Sequence, residues 1–439
     1  MIPVFLLAIF LFGVNFTVWG TAGLLRAIER RLGPHPPEPP GPWPERDFDV
    51  PSCQVSLSEV AVLMAAHDEE VVIADSLAAI TALVPAENVY VVSDGSTDRT
   101  VEIAMRQGVH VAETPHNVGK AGALQEGVRR FVLAERYGAV LLLDADTRLD
   151  PGYFAAALPE FDDPDVVAVA GCAVTDWSSS RRGAAAFLLT AHRSRVYALL
   201  QRLLKFGQTW RHTNATYIVP GFASLYRGRV LPRIDINPPG LVIEDFNMTF
   251  EVYRRRLGKV GFSLGARALT QDPDVWRDYV RQTRRWALGF WQTVRRFRPG
   301  WNLFSVMLLC YITEMVLASV LLILLPVMVL VLSLPDLVPP LGTVPGLAEA
   351  YHGVHQYLSL STIGLGVLLP DVVLTVAVAA VERRGRYLLA APFLLPLRVL
   401  DAVIGLAAIP LAWRARSTGR WKSPSRRGAD VVRAGAAAD

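Results

Sequence analysis

The sequence predicts an α/β domain with a mostly parallel sheet, set between apolar helices. Three observations carry that expectation. Between residues 53 and 300 short apolar runs alternate with amphipathic ones, the pattern of βα units. The run Val140-Leu-Leu-Leu143 shows no polar alternation and stops abruptly at Asp144 and Asp146, as a strand buried on both faces does. Long apolar stretches flank the domain, and the chain of 439 residues is 52% hydrophobic and only 19% charged. A mean hydropathy of +0.31 is too high for an ordinary soluble protein.

In chain order, residues 2–25 carry no charge and are long enough to cross a bilayer. No basic segment precedes them, while Arg26, Arg30 and Arg31 follow. That flank is the reverse of a secretory signal, so residues 1–33 read as an uncleaved anchor with its N-terminus outside. Residues 34–52, rich in proline, read as a stiff spacer. The domain over residues 53–300 then opens with a strand at 60–66 and a helix at 69–83. A second strand at 88–93 ends in Asp94-Gly-Ser-Thr-Asp98, where Gly95 permits a tight turn and Thr97 or Asp98 can cap the next helix. A short third strand at 110–113 leads to Asn117-Val-Gly-Lys120, which opens a helix and lets backbone and Lys120 approach an anion. The strand into Asp144 follows, then one at 166–171.

Beyond residue 175 the expected elements are a helix at 184–206 with Arg193, Arg195, Arg202 and Lys205 on its polar positions, a turn and strand at 219–227, and a helix from 241 to 257. Glu244 and Asp245 stand at the start of that helix, where capping alone would account for either. A last helix carries Gln282, Arg285 and Trp286 at i, i+3 and i+4, hence on one face. Such a face is an ordinary amphipathic surface, or one that holds a diphosphate and stacks a sugar.

Residues 301–413 read as interface and membrane helices: an interfacial start at 301–314, a span to 334, a second span at 357–381, and an element at 387–413 interrupted by Pro392, Pro396, Pro410, Arg398 and Asp401. The basic clusters at 382–386 and in the tail 414–439 belong on the cytoplasmic side. That orientation makes 387–413 interfacial or re-entrant, with Arg398 and Asp401 paired one helical turn apart.

The rest of the composition narrows the function classes. Three distant cysteines, Cys53, Cys172 and Cys310, have no metal spacing and read as reduced and mostly buried. No basic tract interleaved with aromatics points to nucleic acid. Strand alternation turns Asp144 and Asp146 the same way, which suits a hard cation, Mg²⁺ or Mn²⁺, held on substrate phosphates. Read alone, the pair is equally a polar loop after a strand.

The motifs Ala66-His-Asp-Glu-Glu70, Asp94-Gly-Ser-Thr-Asp98, Asn117-x-Gly-Lys120, Asp144-Ala-Asp146, Ile243-Glu-Asp245 and Gln282-x-x-Arg285-Trp286 occur in this order over residues 60–292. In this order and spacing the chain resembles the membrane-bound processive family 2 glycosyltransferases, which make poly-N-acetylglucosamine, chitin, hyaluronan and cellulose. The resemblance implies a GT-A fold, a UDP-sugar donor and inversion at the anomeric carbon. It assigns the uridine to Asp94 and the loop Ala66, His67 and Glu69, and places Lys120 near the nucleotide and Asp144 on the nucleotide sugar. It makes Asp146 the metal ligand for Mg²⁺ or Mn²⁺ and Asp245 the general base, with Glu244 beside it on the acceptor side. Gln282, Arg285 and Trp286 would bind the diphosphate and the acceptor sugar. His67-Asp68 departs from the family, which usually carries an asparagine at the second position.

The resemblance further implies a multi-pass protein of the plasma (inner) membrane with its catalytic domain in the cytoplasm, extending a β-linked polysaccharide from a glycan or lipid-linked acceptor. The membrane part is thin for a polysaccharide channel, which suits a homo-oligomer or a small partner subunit. The competing readings are single-sugar transfer to a lipid and a catalytically degenerate membrane scaffold.

Overall fold

The computed structural model describes residue 4 and residues 13–32, 55–180 and 183–414. The front of the expected anchor, the proline-rich spacer, Cys53 and the basic tail lie outside the described residues. The strands are β1 (Val60–Ala66), β2 (Val89–Ser93), β3 (His110–Glu113), β4 (Ala139–Asp144), β5 (Arg148–Leu149), β6 (Val166–Thr175), β7 (Ala223–Arg227) and β8 (Lys259–Thr270). They form one sheet in the order β3-β2-β1-β4-β7-β6-β8-β5. β1 runs parallel to both β2 and β4, in a register that pairs Ala66 with Ser93 and Ala65 with Asp144. Three motif-bearing loops therefore leave the sheet at one edge, the carboxyl ends of parallel strands where α/β sheets bind ligands.

The apolar run in β4 is explained by burial on both faces. Leu141 and Leu143 enter one core, while Val140 and Leu142 enter the other. Each such side chain contributes roughly 1.5–3 kcal/mol on leaving water. The strand β8 was not legible in the sequence, although it is the longest of the sheet at 12 residues. Gly261 and Gly265 interrupt its apolar pattern and lower its strand propensity. Both lie against neighbours: a Cβ on either would sit 2.9 Å from the Cβ of Glu160 or Ala156.

The longer helices that frame the sheet are α1 (Val14–Leu32), α2 (Ile73–Thr81), α3 (Thr100–Arg106), α4 (Lys120–Arg130) and α5 (Ala184–Leu199), the last continuing through a π-helical turn at Leu200–Lys205. They are followed by α6 (Asp245–Arg254), α7 (Trp276–Arg296), α8 (Leu303–Leu337), α9 (Leu360–Val381) and α10 (Tyr387–Arg414). By length and composition α8, α9 and α10 are each able to cross a membrane. The segment 301–314, expected at the interface, joins the span as part of the single helix α8.

Several side-chain expectations are corrected. Arg193, Arg195 and Lys205 are buried, not on an exposed polar face. The reason is that α5 is covered by α9 and α10, and helical periodicity does not reveal a second layer. The short contacts of Arg398 and Asp401 go to other helices. Arg398 and Arg195 both donate to Asp371 Oδ1 at 2.8 Å, while Asp401 takes His192 Nε2 at 2.9 Å and the Tyr279 hydroxyl at 2.5 Å. Charges shielded from water on α10 are satisfied by the facing helices, which offer better partners than a residue on the same helix. Cys172 is buried as expected, but Cys310 is exposed on α8. Arg26, expected as a flanking charge, is buried and donates to the Phe206 and Phe262 carbonyls at 2.8 and 3.0 Å, docking α1 on the domain.

Candidate active site

The site is built first at the ends of β1 and β2. Gly95 adopts φ +62°, and a Cβ there would lie 2.9 Å from the Asn117 nitrogen, so the turn requires glycine. Asp94 is fully buried; its carboxylate accepts the Val118 and Gly119 amides at 2.7 and 2.8 Å and the Thr114 hydroxyl at 3.0 Å. It thereby braces the Asn117-Val-Gly-Lys120 loop against β2. His67 lies within 2.7 Å of the Asp94 carbonyl through Nδ1, which assigns the proton to that nitrogen, and Nε2 accepts from Asn117 at 3.0 Å. Ala66 accepts the Asp94 amide at 2.8 Å. Glu69 is buried, and its amide donates to Thr100 Oγ1 at 2.8 Å.

Lys120, the first residue of α4, joins this wall to the acids. Its Nζ lies 2.6 Å from Asp144 Oδ1, 3.1 Å from Glu244 Oε1 and 3.1 Å from the Gly221 carbonyl. Burial alone would lower the ammonium, but Asp144 and Glu244 outweigh it and raise its pKa. Burial pushes Glu244 up, yet Lys120 more than offsets this and holds the carboxyl below its ordinary value. Asp144 goes the other way, raised by burial and by the Asp146 charge despite Lys120. Burial and then the Glu244 charge push Asp245 up to about 7. Glu244 makes no capping hydrogen bond to α6; its partner is Lys120. Gly221 passes so close that a Cβ would lie 3.0 Å from Glu244 Oε1 and 3.2 Å from Lys120 Nζ, and its amide donates to Asp245 Oδ2 at 3.3 Å. Gln292 Oε1 accepts the Val242 amide at 3.0 Å, so α7 holds the loop that presents both acids.

Strand alternation does not extend to Asp146, because β4 ends at Asp144 and a turn follows. Asp146 is buried, and its charge acts on both Asp144 and Asp272. Asp272 follows β8; burial raises it to about 6, against the Arg193 charge and a 2.8 Å hydrogen bond from Tyr197. Arg193 donates to Gln282 Oε1 at 3.1 Å, and its guanidinium lies 4.4 Å from the Trp286 ring centroid and 4.9 Å from that of Tyr279. Gln282 and Trp286 are therefore brought together through a residue of α5. Arg285 is exposed on α7, and its charge reaches Glu244.

Sequence reasoning missed Arg193, Tyr197 and Asp272 as site residues. For Asp272 a signal existed: it is an acid just past a strand end, like Asp144, but its strand was not recognised. Arg193 carried none, since its hydrogen-bond partners Gln282 and Thr283 are 89 and 90 residues away.

The acids suit a hard divalent cation. Burial is the main reason that Asp144 and Asp272 are raised, and the Asp146 charge adds to both. Among the described residues no cluster of three or more His, Cys, Asp or Glu forms a full metal cage. One or two carboxylates completed by substrate phosphates is the usual Mg²⁺ arrangement.

A family model described as "Glycosyl transferase family group 2" matches residues 139–338. The probable glycosyltransferase YdaM of Bacillus subtilis is 28% identical over 255 residues, 55% of this chain and 57% of that protein. The poly-beta-1,6-N-acetyl-D-glucosamine synthase of Staphylococcus epidermidis is 23% identical over 264 residues, 57% of this chain and 61% of that protein. The matched region thus spans about three fifths of these relatives' length. Among solved structures, a mannosyltransferase from Pyrobaculum calidifontis in complex with GDP-Man and Mn²⁺ superposes with a TM-score of 0.49 at 18% identity, covering 89% of this chain and 98% of that one. A glucosyl-3-phosphoglycerate synthase from Mycobacterium tuberculosis gives a TM-score of 0.34 at 17% identity, covering 53% and 81%. The domain is a GT-A-like mixed α/β sheet, followed by three long apolar helices.

Proposed function

We propose, for a chain that carries a family 2 glycosyltransferase domain, that it transfers a sugar from a UDP-sugar to the growing end of a β-linked polysaccharide at a membrane, with inversion. The observation that carries this reading is Asp245. It is a half-buried carboxylate raised to about 7, in the same cluster as the strand-end acids. A base is most effective when its pKa lies near the working pH. Asp245 takes the proton from the acceptor hydroxyl as that oxygen attacks the anomeric carbon and the bond to the nucleoside diphosphate breaks. Glu244 keeps Asp245 basic, and Lys120 holds Glu244 and Asp144 in place.

Asp146 would hold a Mg²⁺ or Mn²⁺ ion on the donor diphosphate, and when bound the ion neutralises charge on the leaving group. Arg285, exposed on α7, supplies a further positive charge to the same oxygens. Trp286 offers one face to the acceptor sugar, the other being covered by Arg193. The likeness to a poly-beta-1,6-N-acetyl-D-glucosamine synthase supports a polymeric product. The three long apolar helices support action at a membrane.

The test is to incubate membranes containing the chain with labelled UDP-sugars and resolve the products by length. A ladder from one sugar is the expected result. A single addition to lipid sinks the polymerase reading, and no transfer from any nucleotide sugar sinks the transferase reading.

A further inference from the structure

A second cavity lies away from Lys120, Glu244 and Asp245. It has a volume of about 370 Å³ and is enclosed by the ends of β6 and β8, by α5 and by the residues that follow α9. Its charged lining is Arg202 from α5, Arg267 from β8, and Glu382 and Arg383 after α9. Among the described lining residues one carboxylate faces these three guanidinium groups: Glu382, paired with Arg202 at 3.3 Å. Cys172 lines the floor and pairs with Arg267 across the strands. The charges of Lys205, Arg202 and Arg267 all act on its thiol.

Lys205 adds a further cation, whose charge reaches the Cys172 thiol on the cavity lining. It is only 8% exposed, and its ammonium lies 5.7 Å from the Phe262 ring centroid. Burial outweighs the Cys172 and Asp245 charges and lowers its pKa to about 8. It ends the π-helical turn of α5, a local widening that often marks a functional site. The basic cluster after α9 is explained by membrane orientation alone. The placement of Arg202 and Arg267 on the same cavity from two other elements is not.

We propose that this cavity binds a phosphate-bearing anionic ligand, its phosphate held by Arg202, Arg267 and Arg383. Guanidinium groups bind phosphate oxygens in a bidentate manner, and several cations offset the cost of burying the anion. The chemistry is shared by two sources. One is a lipid headgroup entering beside Val381, at the end of a helix able to cross a membrane. The other is a soluble phosphorylated compound. Either would be felt at the active site, because Tyr197 lines the cavity and also donates to Asp272 Oδ1 at 2.8 Å.

The experiment uses the purified full chain in phosphatidylcholine vesicles, with phosphatidic acid added in one arm and inorganic pyrophosphate in the other. Retained lipid is read by native mass spectrometry and pyrophosphate affinity by equilibrium dialysis. Retention of phosphatidic acid over phosphatidylcholine identifies a lipid ligand, and pyrophosphate binding without lipid retention identifies a soluble one. The Arg202→Gln/Arg267→Gln double variant should weaken whichever is bound by about ten-fold. Should the double variant misfold, Arg267→Gln alone serves, since that side chain is exposed. Pyrophosphate bound at the donor site would survive these substitutions. Wild-type protein that retains neither probe, or a variant that binds both as well as wild type, overturns the proposal.

Discussion

The two sides of the site are made in different ways. On the side of β1, β2 and β4, the residues sit at strand ends and take partners from the loops beside them, as Asp94 takes the Val118 and Gly119 amides of the loop before α4. On the other side, Arg193 of α5 and Asp401 of α10 meet the stretch from Asp272 to Trp286, so the parts come from places far apart in the chain. The difference teaches that the geometry of the first side follows from sheet topology. The geometry of the second depends on how the domain seats on the long apolar helices. Tyr279 shows the dependence, since it lies under Arg193 on α7 and donates to Asp401 on α10.

The comparison is broken most severely at the base. Asp245→Asn should lower transfer by roughly 10²–10⁴-fold while donor binding stays near wild type, read by turnover and by a nucleotide-binding assay on the same preparation. Near-normal turnover would remove Asp245 from the base role.

The next effect belongs to the seating. Asp371→Ala removes the carboxylate shared by Arg195, which is buried, and Arg398, which is half-buried. Breaking such a network costs about 3–5 kcal/mol. Thermal unfolding in detergent should fall steeply, with activity lost alongside it. An unchanged melting temperature would mean that the helices and the domain are not coupled through this triad.

Between the two sides, Arg193→Lys keeps the charge but not the planar fork that reaches Gln282 and stacks on Trp286. The acceptor KM should rise by about ten-fold with the donor KM little changed. A larger change in donor KM would move Arg193 to the donor side.

The smallest effect sharpens the electrostatics. A base must be ionised to work, so activity should rise with pH through about 7, the value to which burial and Glu244 push Asp245. Glu244→Gln removes one of the two upward causes, so the rising limb of kcat/KM should move to lower pH. A limb that stays in place would show that Glu244 does not set the base.

What the sequence determined by itself is the α/β pattern and the strand-end motifs. Strands β1 and β3 were legible to the residue, and β4 nearly so; in β1 and β4 continuous burial on both faces leaves an unbroken apolar run that ends where the carboxylates begin. The cluster of Lys120, Asp144, Glu244 and Asp245 was legible as a set of motifs, but the ion pair from Glu244 to Lys120 was not. Only the tertiary structure decided the strand β8, whose glycines hide its period, and with it the place of Asp272. Only the tertiary structure decided that Arg193 covers Trp286 and that Arg398 and Asp401 turn to different partners. Local pattern records whether a residue leaves water. A buried charge takes its partner from whichever element packs against it, and that is a property of the whole fold.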